Sequence, residues 1–401
     1  MTQKRVLVIG GGSTGCALAH DLALRDFEVV LIERGELASA TTGRCSCFLH
    51  SGARYVVTDP ESAVEAIAEN EIIKRIMPPY AMEANGGLFI LLNSDDPSYA
   101  DRFFDGCHAC GVPVEEITPQ QAWSLEPNLT REISRAAIIP DAVVEPLRLA
   151  LAFAATARVN GARFLRYTEV EEFLMQGNLV TGVRVWDRVT GERFDVRADM
   201  VVNAAGPWSD KVSSMAGVHI PLSLSPGIHV IIGKRFTQRI VNLMHRPSSG
   251  DFATPQRNQT ILGTTSWTVA DCDQLRPPPD HIDYLLQAGA TLIPAIARYP
   301  IHAVNAAARP LIAQPGASER ELSRTFQVFD HAERDHVEGF VTIAGGKMST
   351  ARAMAEKTAD VVTSTFGLNI PCRTHEVPLV SFRRYYAGID GHRGEQRSAP
   401  T

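Results

Sequence analysis

The sequence predicts an α/β protein in which a Rossmann-like dinucleotide-binding domain is joined to a second, mostly antiparallel domain. Three observations lead there. A short apolar run at the N-terminus feeds a glycine-rich turn, a helical pattern and a second apolar run. Two more strand-to-turn signals rich in small residues return near residues 200 and 341. The long stretches between these signals lack the β-α-β spacing of a second doubly wound half. A chain of 401 residues, at about 100–200 residues per domain, has room for two or three domains.

The first unit is the best defined. Arg5-Val6-Leu7-Val8-Ile9 is rich in β-branched residues and enters Gly10-Gly11-Gly12-Ser13-Thr14-Gly15, a G-x-G-x-x-G turn. Cys16, Ala17, Ala19, Leu22 and Ala23 continue as a helix to about Arg25, and Phe27-Glu28-Val29-Val30-Leu31-Ile32 reads as a buried strand ending at Glu33. Gly10 permits the tight turn, Gly12 lets the backbone approach a pyrophosphate, and Gly15 lets helix and strand pack closely. The helix N-terminus offers N–H groups to the anion. Glu33, 18 residues after Gly15, suits the adenosine ribose hydroxyls and would repel a 2′-phosphate, which disfavours NADP. NAD and FAD both remain open.

Residues 38–55 form a polar, glycine-containing loop in which small and hydroxyl side chains stand beside His50, Arg54 and Tyr55. Such a loop suits a large planar cofactor and a substrate facing it. Residues 199–206 read as a strand running into a small-residue turn, and 341–343 as a strand before Ala344-Gly345-Gly346-Lys347-Met348-Ser349-Thr350, where a helix is expected to open. His229 lies among apolar neighbours on an expected strand, and Arg276-Pro277-Pro278-Pro279 reads as an interrupting turn. Arg309, between Ala306-Ala307-Ala308 and Pro310-Leu311-Ile312, reads as a buried cation beside a ligand.

The chain resembles the FAD-dependent glycerol-3-phosphate dehydrogenases. The resemblance is carried by residues 10–15 with Glu33, by Ala40-Thr41-Thr42-Gly43-Arg44 and Leu49-His50-Ser51-Gly52-Ala53-Arg54-Tyr55, and by Val201-Val202-Asn203-Ala204-Ala205-Gly206 followed by Trp208. Ile261-Leu262-Gly263-Thr264-Thr265-Ser266, Arg309-Pro310-Leu311, Asp330-His331-Ala332-Glu333-Arg334-Asp335 and Ala344-Gly345-Gly346-Lys347 extend it to about residue 380. It is more similar to the catalytic A subunits of the anaerobic branch, without their cysteine-rich C-terminal extension. The resemblance implies a flavoprotein of the glutathione-reductase/D-amino-acid-oxidase type. Residues 1–78, 140–215 and 325–380 would then build the FAD-binding domain, 79–139 and 216–324 a substrate cap, and 381–401 a loosely ordered tail.

It also implies non-covalent FAD, oxidation of sn-glycerol 3-phosphate to dihydroxyacetone phosphate, and electrons passed to a quinone or a separate, iron–sulfur-type subunit. By the matching motifs the cofactor residues are Gly10, Gly12, Ser13, Thr14, Gly15, Glu33, Arg34, Thr41, Thr42, Ala205, Gly206, Gly345, Gly346, Lys347 and Met348. A dianionic phosphate needs cations, and Arg54, Arg309, Arg324 and Lys347 are the expected ones. A base must take the substrate hydroxyl proton; His229 is preferred and His50 is the alternative, with Tyr55 able to orient the hydroxyl. Alternatives are a relative acting on another hydroxy acid, polyol phosphate or amine, and a protein that binds FAD only to relay electrons. Thr350-Ala351-Arg352 replaces the Thr-Tyr-Arg of related sequences, so Ala351 is expected to enlarge or reshape the pocket.

Other classes are disfavoured. The balance of 39 basic and 45 acidic residues, with no long Lys/Arg run, leaves no footprint for nucleic acid. No apolar stretch approaches the ~18 residues of a membrane span, and the expectation is a cytoplasmic protein with peripheral association at the inner face of the membrane as the variant. Seven scattered cysteines suggest reduced thiols. Cys107-His108-Ala109-Cys110 lacks the second pair a metal site would need, and Cys45 and Cys47 read as small packing residues near the cofactor.

Overall fold

Three segments of the chain build one six-stranded sheet, in the order Phe326–Asp330, Phe340–Gly345, Met200–Asn203, Arg5–Ile9, Glu28–Glu33, Arg163–Arg166. The description comes from a computed structural model and covers residues 3–314 and 322–387. All neighbours pair in parallel except the edge strand Phe326–Asp330. Val8 sits across from Val202 on one side and Leu31 on the other.

The near-continuous apolar runs follow from burial on both faces. Val6 and Val8 point toward the helices Ser13–Leu24, Pro146–Val159 and Ala351–Thr365, packing with Leu18, Phe153 and Ala355. Leu7 and Ile9 point the other way, onto an antiparallel sheet of Thr168–Gln176, Leu179–Asp187 and Arg193–Arg197, where Phe173, Val183 and Val196 are buried. At about 25 cal/mol per Å² of apolar surface, this two-sided burial is the main term holding the first β-α-β unit.

The second body is an eight-stranded sheet in the order Ile301–Ile312, Leu222–Ile232, Gln259–Gly263, Phe252–Gln256, Ile240–Leu243, Gly87–Leu92, Ile133–Ile139, Glu115–Ile117. Only the pairing of Ile240–Leu243 with Gly87–Leu92 is parallel. Helix Pro279–Leu292 packs Leu285 and Leu292 against Val230, Leu262 and Ala253, while Phe103 of helix Ser98–Ala109 packs against Phe89. Phe252 and Ile261 instead face Phe48 and Val143. A small sheet of Phe48–Leu49, Ala142–Val144 and Met82–Glu83 lies at that junction.

Three local expectations differ from what is found. Pro279 does not extend a turn; it is the first residue of helix Pro279–Leu292, where a missing N–H costs nothing. The helix after Gly346 begins at Ala351, preceded by the 3₁₀ turn Met348–Thr350. Tyr385, in the stretch expected to be loose, is 1% exposed and packs edge-on against Phe164 at 5.5 Å, with its carbonyl accepting from Arg158. The rest of that expected tail, 388–401, lies outside the described residues.

Candidate active site

A cavity of about 1460 Å³ runs between the six-stranded and eight-stranded sheets. That exceeds the roughly 300–1,000 Å³ of a single small-ligand site and suits a dinucleotide with a small substrate beside it. Every residue expected to bind the dinucleotide lines the cavity except Gly15. Gly15 works from behind: a Cβ there would lie 1.9 Å from the Gly10 carbonyl oxygen, so only glycine lets the helix sit this close to the strand. Gly10 has φ +109° and a Cβ would strike the Ala204 carbonyl oxygen at 2.6 Å.

The dinucleotide end is pre-formed by backbone geometry. Helix Ser13–Leu24 has Gly12 at its N-cap and no side-chain cap, so its first turn offers N–H groups and positive dipole to the cavity. Glu33 accepts from the Gly11 N–H at 2.7 Å and the Gly35 N–H at 2.8 Å, and its carboxylate has lone pairs left for ribose hydroxyls. Thr42 Oγ1 accepts from the Ser13 N–H at 3.0 Å, and Thr41 donates to the Ala308 carbonyl at 2.8 Å, which ties the polar loop to the other sheet. Gly345 and Gly346 both have positive φ, and a Cβ would meet Thr325 O at 2.7 Å or the Met354 sulfur at 2.5 Å. These features form a cradle that fits FAD.

Cations gather at the other end. Arg54, Arg309, Arg324 and Lys347 all line the cavity, together with His50 and Tyr55. Arg54 donates to the buried Asp251 at 2.5 Å and to the Ser248 carbonyl at 3.1 Å. Burial works against the Asp251 charge, yet Arg54, His245 and Ser248 hold it well below the usual carboxylate range. Arg309 Nη2 donates to Thr264 Oγ1 at 3.0 Å and Thr265 O at 2.9 Å, and Nη1 to Ser225 O at 3.1 Å. Gly227 makes room for it, since a Cβ would sit 2.3 Å from Nη2. Lys347 Nζ lies 5.2 Å over the Tyr55 ring, 3.2 Å from the Arg324 carbonyl and 3.8 Å from Glu65. Arg324 Nη1 is buried without a hydrogen-bond partner among the described residues.

The two candidate bases differ in position. His50 is on the cavity wall, 5.8 Å from the Tyr55 ring, and burial followed by the charges of Lys347 and Arg54 pushes its pKa down to about 3. His229 is 5% exposed and is not on the wall; its Nε2 lies 2.9 Å from Ser46 Oγ, which is. Burial and then Arg309 lower the His229 pKa to about 4, against the opposing pull of Asn305 and the Arg44 carbonyl. Ser46, Asn305 and Asp251 carry no individual signal in the sequence because each gains its meaning from a partner more than 70 residues away. The run Arg246-Pro247-Ser248-Ser249-Gly250-Asp251 did carry a turn signal that marks a cavity loop.

Two neighbouring expectations are corrected or refined. Ala351 is packed in the core beneath the six-stranded sheet and does not itself line the cavity. Arg352 turns inward too, paired with Glu69 at 2.9 Å and Glu356 at 2.7 Å. Cys45 lines the cavity with its thiol pushed up to about 11 by burial, whereas Cys47 packs against Phe48 and Val143. Cys107 and Cys110 are buried among Phe103 and Val112.

The sequence profile of the FAD dependent oxidoreductase family matches residues 5–361. The chain is 40% identical to the A subunit of the anaerobic glycerol-3-phosphate dehydrogenase of Escherichia coli K12, over 93% of its own length and 69% of the relative's. It is 37% identical to the A1 subunit of the corresponding enzyme of Haloferax volcanii, over 93% of its length and 66% of that protein's. It therefore spans about two thirds of these relatives. Its fold superposes on the glycerol-3-phosphate dehydrogenase of Bacillus halodurans complexed with FAD with a TM-score of 0.72, at 25% identity, covering 98% of this chain and 73% of that one. The chain belongs to the FAD dependent oxidoreductase family, and the dinucleotide its cavity is built for is FAD.

Proposed function

We propose that this protein oxidises sn-glycerol 3-phosphate to dihydroxyacetone phosphate and passes the electrons to a quinone or to a partner protein. The observation that carries the reading is the gathering of Arg54, Arg309, Arg324 and Lys347 at one end of the FAD cavity, with Arg324 Nη1 buried and without a hydrogen-bond partner among the described residues. A buried, unpaired guanidinium N–H is costly unless a ligand completes it, and a phosphate dianion does so with charge-assisted hydrogen bonds. The relatives from Escherichia coli and Haloferax volcanii are named as subunits of a larger enzyme, which supports a partner that takes the electrons. Among the described residues no helix is long and apolar enough to cross a membrane.

When bound, FAD supplies a two-electron acceptor for the hydride leaving the substrate C2. The chain supplies the rest. Glu33 and the N-terminus of helix Ser13–Leu24 hold the ribose and pyrophosphate, Arg324 and Lys347 hold the substrate phosphate, and Tyr55 orients the hydroxyl, whose proton passes to a histidine base. The test is turnover with an artificial dye acceptor. Dihydroxyacetone phosphate should form in a one-to-one ratio with reduced dye from sn-glycerol 3-phosphate, and glycerol should be a far poorer substrate. Equal turnover of glycerol, or none of the phosphate ester, would overturn the reading.

A further inference from the structure

His229 has the chemistry of a base but no access to the cavity, and the structure contains the connection it needs. His229 lies on strand Leu222–Ile232 with Gly263 opposite it on one side and Asn305 on the other. Gly263 is required there: a Cβ would lie 2.5 Å from the imidazole Cδ2. The ring is thereby fixed with Nδ1 3.2 Å from Asn305 Oδ1 and Nε2 2.9 Å from Ser46 Oγ. Ser46 lines the cavity in the same loop as His50 and Arg54.

We propose that the Ser46 hydroxyl carries the proton from the substrate hydroxyl to His229, and that Asn305 is a positioning residue which sets the imidazole tautomer. The proposal rests on the reading that an alcohol is oxidised in this cavity. With Asn305 Oδ1, an acceptor, set against Nδ1, the relay assigns the proton to Nδ1 and leaves the Nε2 lone pair facing Ser46. Ser46 Oγ–H then donates to Nε2, leaving its own lone pairs for the substrate O–H. As the C2–H bond breaks, its electron pair leaves with the hydrogen as hydride to FAD. The O–H proton moves to Ser46 Oγ, the Ser46 proton moves to Nε2, the C–O bond becomes a carbonyl, and His229 becomes imidazolium. Acceptors already await that cation, Asn305 Oδ1 at Nδ1 and the Arg44 carbonyl near the ring, while Arg309 opposes it and so favours the proton's return.

The test uses the FAD-loaded protein and two readouts. ¹⁵N NMR of the His229 imidazole, without substrate, should show Nδ1 protonated and Nε2 bare at pH 7, and Asn305→Asp should raise the pH at which the ring titrates. In anaerobic stopped flow, Ser46→Ala should slow flavin reduction about 10²-fold or more, the usual scale of a proton-transfer contribution. The Kd for substrate should stay within threefold, and Ser46→Thr should restore most of the rate. An Nε2-protonated ring in the wild type, or a Ser46→Ala rate within threefold of wild type, overturns the relay. Wild-type flavin that glycerol 3-phosphate does not reduce would overturn the functional reading instead, and the tautomer would still decide the relay.

Discussion

Replacing Arg324 by Leu should separate phosphate recognition from stability. The guanidinium Nη1 is buried and makes no hydrogen bond among the described residues, while the Arg324 backbone N–H donates to Asp59 Oδ2 at 3.1 Å whatever side chain is present. Nη1 therefore has no bond to lose among the described residues, and leucine keeps an apolar stem in place. Without substrate the protein should not lose stability, and removing a buried unpaired donor should raise it by about 1–3 kcal/mol. A hydrogen bond to a charged group is worth about 1.5–3 kcal/mol, which is about ten- to 150-fold in affinity. The KM for sn-glycerol 3-phosphate should rise by that factor, while the KM for glycerol, which has no phosphate, should not move. Dye-coupled turnover with both substrates, alongside a urea melt, reads all three quantities. An equal rise for both substrates, or an unchanged KM for the phosphate ester, would refute the assignment of Arg324 to the phosphate.

Three further outcomes follow from the same contacts. Glu33→Ala removes the acceptor for the Gly11 and Gly35 N–H groups as well as the ribose partner, so the FAD Kd should rise at least tenfold, read as flavin lost on gel filtration. Glu69→Ala removes the buried partner of Nε and Nη2 of Arg352, 4% exposed, while Glu356 and Thr374 still hold Nη1, and should cost about 1.5–3 kcal/mol by urea unfolding; an unchanged midpoint would contradict the burial argument. Burial lifts the Asp141 carboxyl from 3.8 to about 6, against the pull of the Ser51 N–H and Lys74. Because its folded pKa is raised, its contribution is most favourable below the unfolded value and is lost as pH rises through about 6. Asp141→Asn should therefore flatten the stability curve between about pH 4 and 6, and a variant whose curve keeps the wild-type slope there would count against it.

The first β-α-β unit was legible because its signals are local. A strand buried on both faces reads as an apolar run, and the glycines are demanded by contacts inside the unit itself, as with Gly15 against Gly10. The expected strand, helix and strand came within a residue or so of Arg5–Ile9, Ser13–Leu24 and Glu28–Glu33. Cavity-lining cations were legible through motif resemblance, down to Arg54 and Lys347. What escaped depends on pairing across the sheet: Asn305 is 76 residues from His229, and Asp251 is 197 from Arg54. Ala351 shows the opposite failure. Its place beside the Gly-Gly-Lys motif suggested the pocket, but the helix starting there turns it into the core. Tyr385 is not legible in the sequence because one aromatic ring finding a slot beside Phe164 leaves no periodic trace.

The most direct measurement is anaerobic visible absorbance of the FAD-loaded protein during separate additions of sn-glycerol 3-phosphate, glycerol, 2-hydroxy acids and glycine. The account predicts bleaching of the flavin band by glycerol 3-phosphate at concentrations where the others leave it unchanged, with one equivalent of dihydroxyacetone phosphate formed. Flavin reduced only by glycine or a hydroxy acid would contradict the phosphate site while leaving the FAD cradle intact.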